Sequence, residues 1–261
     1  MNKTLLLFFF LVLQFTSWAQ ETAYPEFETD RPDRTETASI VPGGFYQLET
    51  GFQYQKNRQD GAEKRELLYP QALLRIDILK KAELRLEGTF RRNDFLVQRQ
   101  LRDRNRGLSN VRVGTKINLW EESGLLPMFS VMAMVELPWG VTAYKTDKVA
   151  PEIRLLFSNQ ITQKLKLEYN LGYRREKEEG DMESKIQYAV SLSREVSDKL
   201  SLFAEFFGDK PKGSRGENQV DGGIQYKLLP NLQVDVIAGT RVSSEAPEMF
   251  LGGGLSFRLP R

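Results

Sequence analysis

The side chains that could carry chemistry in this chain are mainly carboxylates and guanidinium groups. Asp30 and Asp33 flank Pro32 and alternate with Arg31 and Arg34 in the run Thr29-Asp30-Arg31-Pro32-Asp33-Arg34-Thr35-Glu36. Glu87 and Glu168 close two runs of one pattern, Leu84-Arg85-Leu86-Glu87 and Leu165-Lys166-Leu167-Glu168. Paired carboxylates can work as general acid and base, or as acid and nucleophile. Two of the commonest catalytic residue types are missing, because the 261 residues include no histidine and no cysteine. Ser-His and Cys-His arrangements therefore cannot be built, and neither can a zinc site resting on His or Cys. Gly252-Gly253-Gly254 sits in a strand pattern with no helix or Lys-Ser/Thr after it, so it reads as a bend or close approach rather than a phosphate loop. No enzyme activity, catalytic residue, metal or cofactor is expected, and the charges need another explanation.

The elements that carry those charges supply it. In the first stretch Tyr46, Leu48, Thr50, Phe52 and Tyr54 share one face, and Gln47, Glu49, Gly51, Gln53 and Gln55 share the other. This period of two is that of a strand. Such stretches recur to the chain end, about twelve in all. The first is expected near 44–55, the second near 66–78 with Leu68, Pro70, Ala72, Leu74 and Ile76 outward, and the fourth near 108–119. Short connections such as Lys80-Lys81-Ala82 and Leu229-Pro230-Asn231 alternate with longer charged ones at 56–65, 92–107, 138–148, 175–183, 209–216 and 241–248. That order predicts an all-β fold, a transmembrane antiparallel β-barrel with tight periplasmic turns and freer extracellular loops. Parity then points Glu49, Arg75, Asp77, Arg85, Glu87, Arg112, Lys116 and Glu136 into the lumen. Arg154, Glu168, Lys185, Glu205, Asp221, Asp235 and Arg258 point the same way. Both signs are mixed, as in an ordinary polar barrel interior.

Residues 1–19 read as a cleaved signal peptide: Lys3, then the apolar run Leu5 to Leu13, then Ser17-Trp18-Ala19 before Gln20. Residues 20–43 are polar, broken by Pro32 and without strand period. They form an irregular N-terminal arm ahead of the barrel, which spans 44–261. Asp30, Arg31, Pro32, Asp33 and Arg34 either plug the lumen or belong to a flexible periplasmic lead-in. Lys and Arg number 37 against 35 Asp and Glu, a balance that gives no basic stripe for nucleic acid. The mean hydropathy of −0.44 suits a barrel, where only alternate residues meet lipid.

The opening run, followed by Val41-Pro42-Gly43-Gly44 and Gln47-Leu48-Glu49-Thr50-Gly51-Phe52-Gln53-Tyr54, resembles the phenol-degradation meta-pathway family. Its members are often called simply transporters. The resemblance implies an outer-membrane barrel of a Gram-negative bacterium. Many members carry an aromatic where this chain has Arg34. Gly254-Leu255-Ser256-Phe257-Arg258-Leu259 resembles the terminal signal of the barrel-assembly machinery, with Pro260 and Arg261 beyond it. Passage of a small solute is the expected function, and a closed structural or interaction barrel is the alternative. The expected partners are outer-membrane lipid, lipopolysaccharide, the assembly machinery and a small-molecule solute. Arg92, Arg99, Arg102, Arg104 and Arg106 in the 92–107 segment suggest contact with lipopolysaccharide phosphates, capture of anionic solutes, or simply a solvated loop.

Overall fold

The apolar-polar alternation builds strands along nearly the whole chain. The computed structural model describes residues 25–59, 61–145, 148–178 and 181–261. The expected signal peptide and the first residues of the arm lie outside the described residues. The strands are β1 Phe45–Gln59, β2 Ala62–Leu79, β3 Ala82–Val97, β4 Gln100–Trp120, β5 Met128–Leu137 and β6 Ala150–Thr162. They continue as β7 Leu165–Glu178, β8 Asp181–Ser197, β9 Leu200–Pro211, β10 Glu217–Leu229, β11 Leu232–Arg241 and β12 Met249–Pro260. Each pairs antiparallel with its neighbour in sequence. β12 closes the barrel on β1, with Gln47 opposite Arg258 and Gly51 opposite Gly254. Closure leaves no unpaired edge, as a membrane-spanning sheet requires.

The outward face is apolar: Phe52, Leu86, Phe90, Ile153, Leu171 and Val236 are all exposed there. At the tight-turn end of β4 to β7, Trp120, Phe129, Phe157 and Tyr169 adjoin in succession across neighbouring strands, with ring centroids 4.6, 4.8 and 5.0 Å apart; the first pair is tilted and the other two are stacked. Such an aromatic row marks a membrane interface.

Two expectations are corrected. Segments 56–65, 92–107 and 175–183 are not loops: β1–β2, β3–β4 and β7–β8 stay paired through most of them. The β3–β4 hairpin turns only at Gln98 and Arg99, whose φ angles of 50° and 65° give the positive-φ geometry of a tight hairpin turn. Above the lipid a strand needs no apolar face, so its alternation becomes polar on both sides and looks like a loop. The second correction is Leu68, which faces the lumen. The β2–β3 register shifts between Leu68 and Gln71, so a bulge at Tyr69-Pro70 reverses the parity above it.

Candidate functional site

The lumen is occupied by the chain's own N-terminal segment. Residues 25–44 enter at the tight-turn end, rise to a tip at Pro32–Arg34, and return to β1. Arg258 holds the entering chain: its Nη1 donates to the Glu26 carbonyl at 2.8 Å, and its guanidinium lies 4.9 Å from the Phe27 ring centre. The returning chain is fixed at Val41, whose N–H donates to Glu83 Oε2 at 2.7 Å, and at Gly44, whose N–H donates to Asp77 Oδ2 at 3.0 Å. The Pro-interrupted sequence has no strand period, so its backbone groups take partners from wall side chains instead.

Asp30 is the centre of this seat. Its carboxylate meets Arg85 Nη1 at 2.6 Å, Lys116 Nζ at 3.0 Å and Arg75 Nη1 at 3.1 Å. Glu83 receives Arg75 as a two-pronged fork, Nε at 2.9 Å and Nη2 at 3.0 Å, and Arg85 Nη1 at 2.9 Å. Glu49 Oε2 accepts the backbone N–H groups of Asp30 and Arg31 at 2.9 and 3.0 Å. Arg75, Glu83, Arg85 and Lys116 are essentially inaccessible to solvent, so this level of the lumen is filled. Buried charges of this kind are tolerable only when each finds partners. Burial opposes ionisation of Asp30, but Arg75, Lys116 and Arg85 outweigh it and hold the carboxyl well below the usual carboxylate range.

The tip is held differently. Arg31 reaches Asp235 at 3.0 Å across a patch of wall without side chains, where Gly51 faces Gly254. A Cβ at Gly254 would lie 2.6 Å from Arg31 Nε, so glycine makes the space for the guanidinium. Glu205 accepts the Arg34 N–H at 2.9 Å and the Thr35 hydroxyl at 2.5 Å. Asp33 faces carboxylates: burial, with Glu205 and Glu168, pushes its own carboxyl well above the usual range. Burial also raises Glu36 to about 7, although Arg85 Nη2 lies 2.7 Å away.

Above the tip lies a vestibule of about 430 Å³, at the end away from the tight turns. Its floor includes Asp30 to Arg34 and Glu36. One wall is charged: Arg112 meets Glu87 at 2.8 Å and also binds Glu152, while Arg174 meets Glu176 at 2.7 Å and Asp209 at 3.5 Å. The other wall is apolar, with Leu73, Phe207, Ile237 and Phe250. In all, eleven acidic side chains and seven arginines line it.

The residues expected in the lumen wall, and those of the possible plug, are placed as follows. Asp30, Arg31, Asp33, Arg34, Glu49, Glu87, Arg112, Glu136 and Arg154 line the vestibule, and so does Pro32. Arg75, Arg85, Lys116, Asp235 and Arg258 grip the arm below. Asp77 sits at the rim of the tight-turn end, and Glu168 accepts Lys166 at 3.1 Å. Glu205 and Asp221 stand opposite each other on β9 and β10. Lys185 pairs with Glu176 at 2.7 Å, higher on the wall. Sequence reasoning missed Glu83, although it lies two residues before Arg85 and so shares its face. It also missed Glu152, Arg174 and Asp209. The last two fall at or inside segments read as loop boundaries. Of the arginines in 92–107, none lines the vestibule.

Three solved structures share the fold. An outer membrane channel from Pseudomonas putida superimposes with a TM-score of 0.63 at 8% identity, covering 89% of this chain and 100% of that one. The translocator domain of the autotransporter NalP from Neisseria meningitidis gives 0.55 at 12%, covering 84% and 90%. The transport unit of the autotransporter AIDA-I from Escherichia coli gives 0.55 at 12%, covering 90% and 93%. No curated protein sequence matches the chain. Residues 29–259, from the seated tip to the end of the last strand, match the family described as "Putative MetA-pathway of phenol degradation", and the chain belongs to that family.

Proposed function

We propose that this protein is an outer-membrane channel for a small solute, gated by its N-terminal segment. The vestibule carries this reading: a cavity of about 430 Å³, in the range of small-molecule sites of roughly 300–1,000 Å³, opens outward and ends on the tip of a plug. The tip is seated by polar groups, which water can replace, rather than by packed apolar surface. The acidic excess in the lining favours a neutral or cationic solute over an anion. A charged wall facing an apolar one suits a solute with both polar and apolar parts. The likeness to a channel of Pseudomonas putida supports the reading at the level of fold, as does membership of a family whose description links it to phenol degradation.

A second reading is favoured by the filled level around Asp30: a barrel that stays shut and serves as a structural or interaction element. Planar-bilayer recordings separate the two. The intact protein should show small or intermittent conductance, and a variant lacking residues 22–40 should conduct severalfold more. A deletion variant that folds, shown by a heat-dependent gel shift, yet does not conduct would leave the shut barrel as the function.

A further inference from the structure

The extracellular ends of β1 to β4 carry a second charged site, on the outside of the barrel. Register and exposure place Lys56 and Arg58, Glu63 and Arg65, Arg92 and Asp94, and Arg104 and Arg106 on the outward face. Each strand changes from apolar to cationic within one outward step: Tyr54 to Lys56, Leu67 to Arg65, Phe90 to Arg92, Leu108 to Arg106. Two carboxylates organise the cluster. Glu63 accepts Arg58 at 2.7 Å and also binds Arg65. Asp94 accepts Arg104 at 2.7 and 2.9 Å and Arg92 at 3.3 Å. The two carboxylates are only 9% and 8% exposed, whereas the four guanidinium groups remain 42% to 52% exposed. With Lys56, Arg102 and Arg106 beside them, cations exceed acids by a wide margin. On β8 to β12 the outward positions at that end are Ser184, Lys210, Asn218, Thr240 and Met249, with a single cation among them.

We infer that this face binds a phosphorylated glycolipid headgroup of the outer leaflet. Half-exposed guanidinium groups held by carboxylates present free donors in fixed geometry, the arrangement that recognises phosphate in two-pronged fashion. Their position directly above lipid-facing apolar residues puts them at headgroup depth, with acyl chains running down Phe90 and Leu108. A dissolved anion would need none of this apolar continuation. The inference is independent of whether the lumen conducts.

The test uses the full mature protein in detergent, titrated with bisphosphorylated lipid A and followed by native mass spectrometry. Binding should weaken at least about tenfold when both lipid phosphates are removed, since each phosphate anchors charge-assisted bonds. The variant R65Q/R92Q/R104Q should lose as much, while K210Q on the opposite face should lose nothing. Lys substitutions at Arg92 and Arg104 should retain part of the affinity. The unmutated protein with dephosphorylated lipid needs no variant to fold. Equal binding of both lipids, or inorganic phosphate displacing lipid A at matched concentration, would overturn the inference.

Discussion

Asp30 and Glu83 share the same cations but have different roles. Glu83 belongs to the wall and binds Arg75 and Arg85 from within the barrel. Asp30 belongs to the arm and can leave only with the arm. Glu83→Gln should therefore destabilise the barrel itself, by about 3–5 kcal/mol, because two buried guanidinium groups lose a partner. A lowered temperature of the heat-dependent gel shift would register it. Asp30→Asn should leave that temperature nearly unchanged and loosen the arm instead, read as faster trypsin cleavage after Arg34, since Pro32 protects the bond after Arg31. At the tip, the planar fork of Arg31 fits between Gly51, Gly254 and Asp235. Arg31→Lys keeps the charge but not the fork, so its rate of cleavage after Arg34 should fall between those of the wild type and Arg31→Ala.

The arm as an element responds to pH through carboxyl side chains of its own. Glu36 titrates near 7 when docked, and near 4.5 once released. Docking thus binds a proton that the free arm gives up, so Glu36 supports the docked arm fully below about 4.5. That support is lost as pH rises through about 7. Asp33, raised by burial and by Glu205 and Glu168, acts in the same direction. Asp30 is shifted the other way and weakens docking only at strongly acid pH. Cleavage within the arm, or channel opening, should therefore increase between pH 5 and 8, and Glu36→Gln should flatten the profile; an unchanged slope would remove Glu36 as its source. The sequence shows the strands clearly because period two is strict where one face meets lipid, as at Tyr46, Leu48 and Phe52. It misleads where that condition lapses: in the β3–β4 hairpin above Phe90, where arginines replace apolar residues on the outward face, and at Leu68, where one bulge reverses the count. The arm's seat is illegible for another reason. Arg31 and Asp235 stand 204 residues apart, and no local pattern in either segment names the other.

Over the whole molecule the charges are sorted by surface rather than balanced everywhere. The chain is near neutral, yet the vestibule lining is acidic and the outer face of β1 to β4 is basic. On the proposed channel reading a permeating ion meets only the first of these, because the arginines of β1 to β4 lie on the outside of the barrel. The deletion variant lacking 22–40 should consequently prefer cations in a salt gradient, although the 92–107 segment alone, with its five arginines, suggests anion capture. Glu136→Gln with Glu217→Gln should shift the reversal potential toward zero. The shift should be largest in dilute salt, since screening lengths grow from about 8 Å at 0.15 M to about 30 Å at 0.01 M. Neutralising Arg92, Arg102 and Arg106 should leave the reversal potential where it was. If those arginines govern selectivity and the two glutamates do not, then the basic hairpin faces the solute path, and both the acidic vestibule and the external lipid site are wrongly assigned.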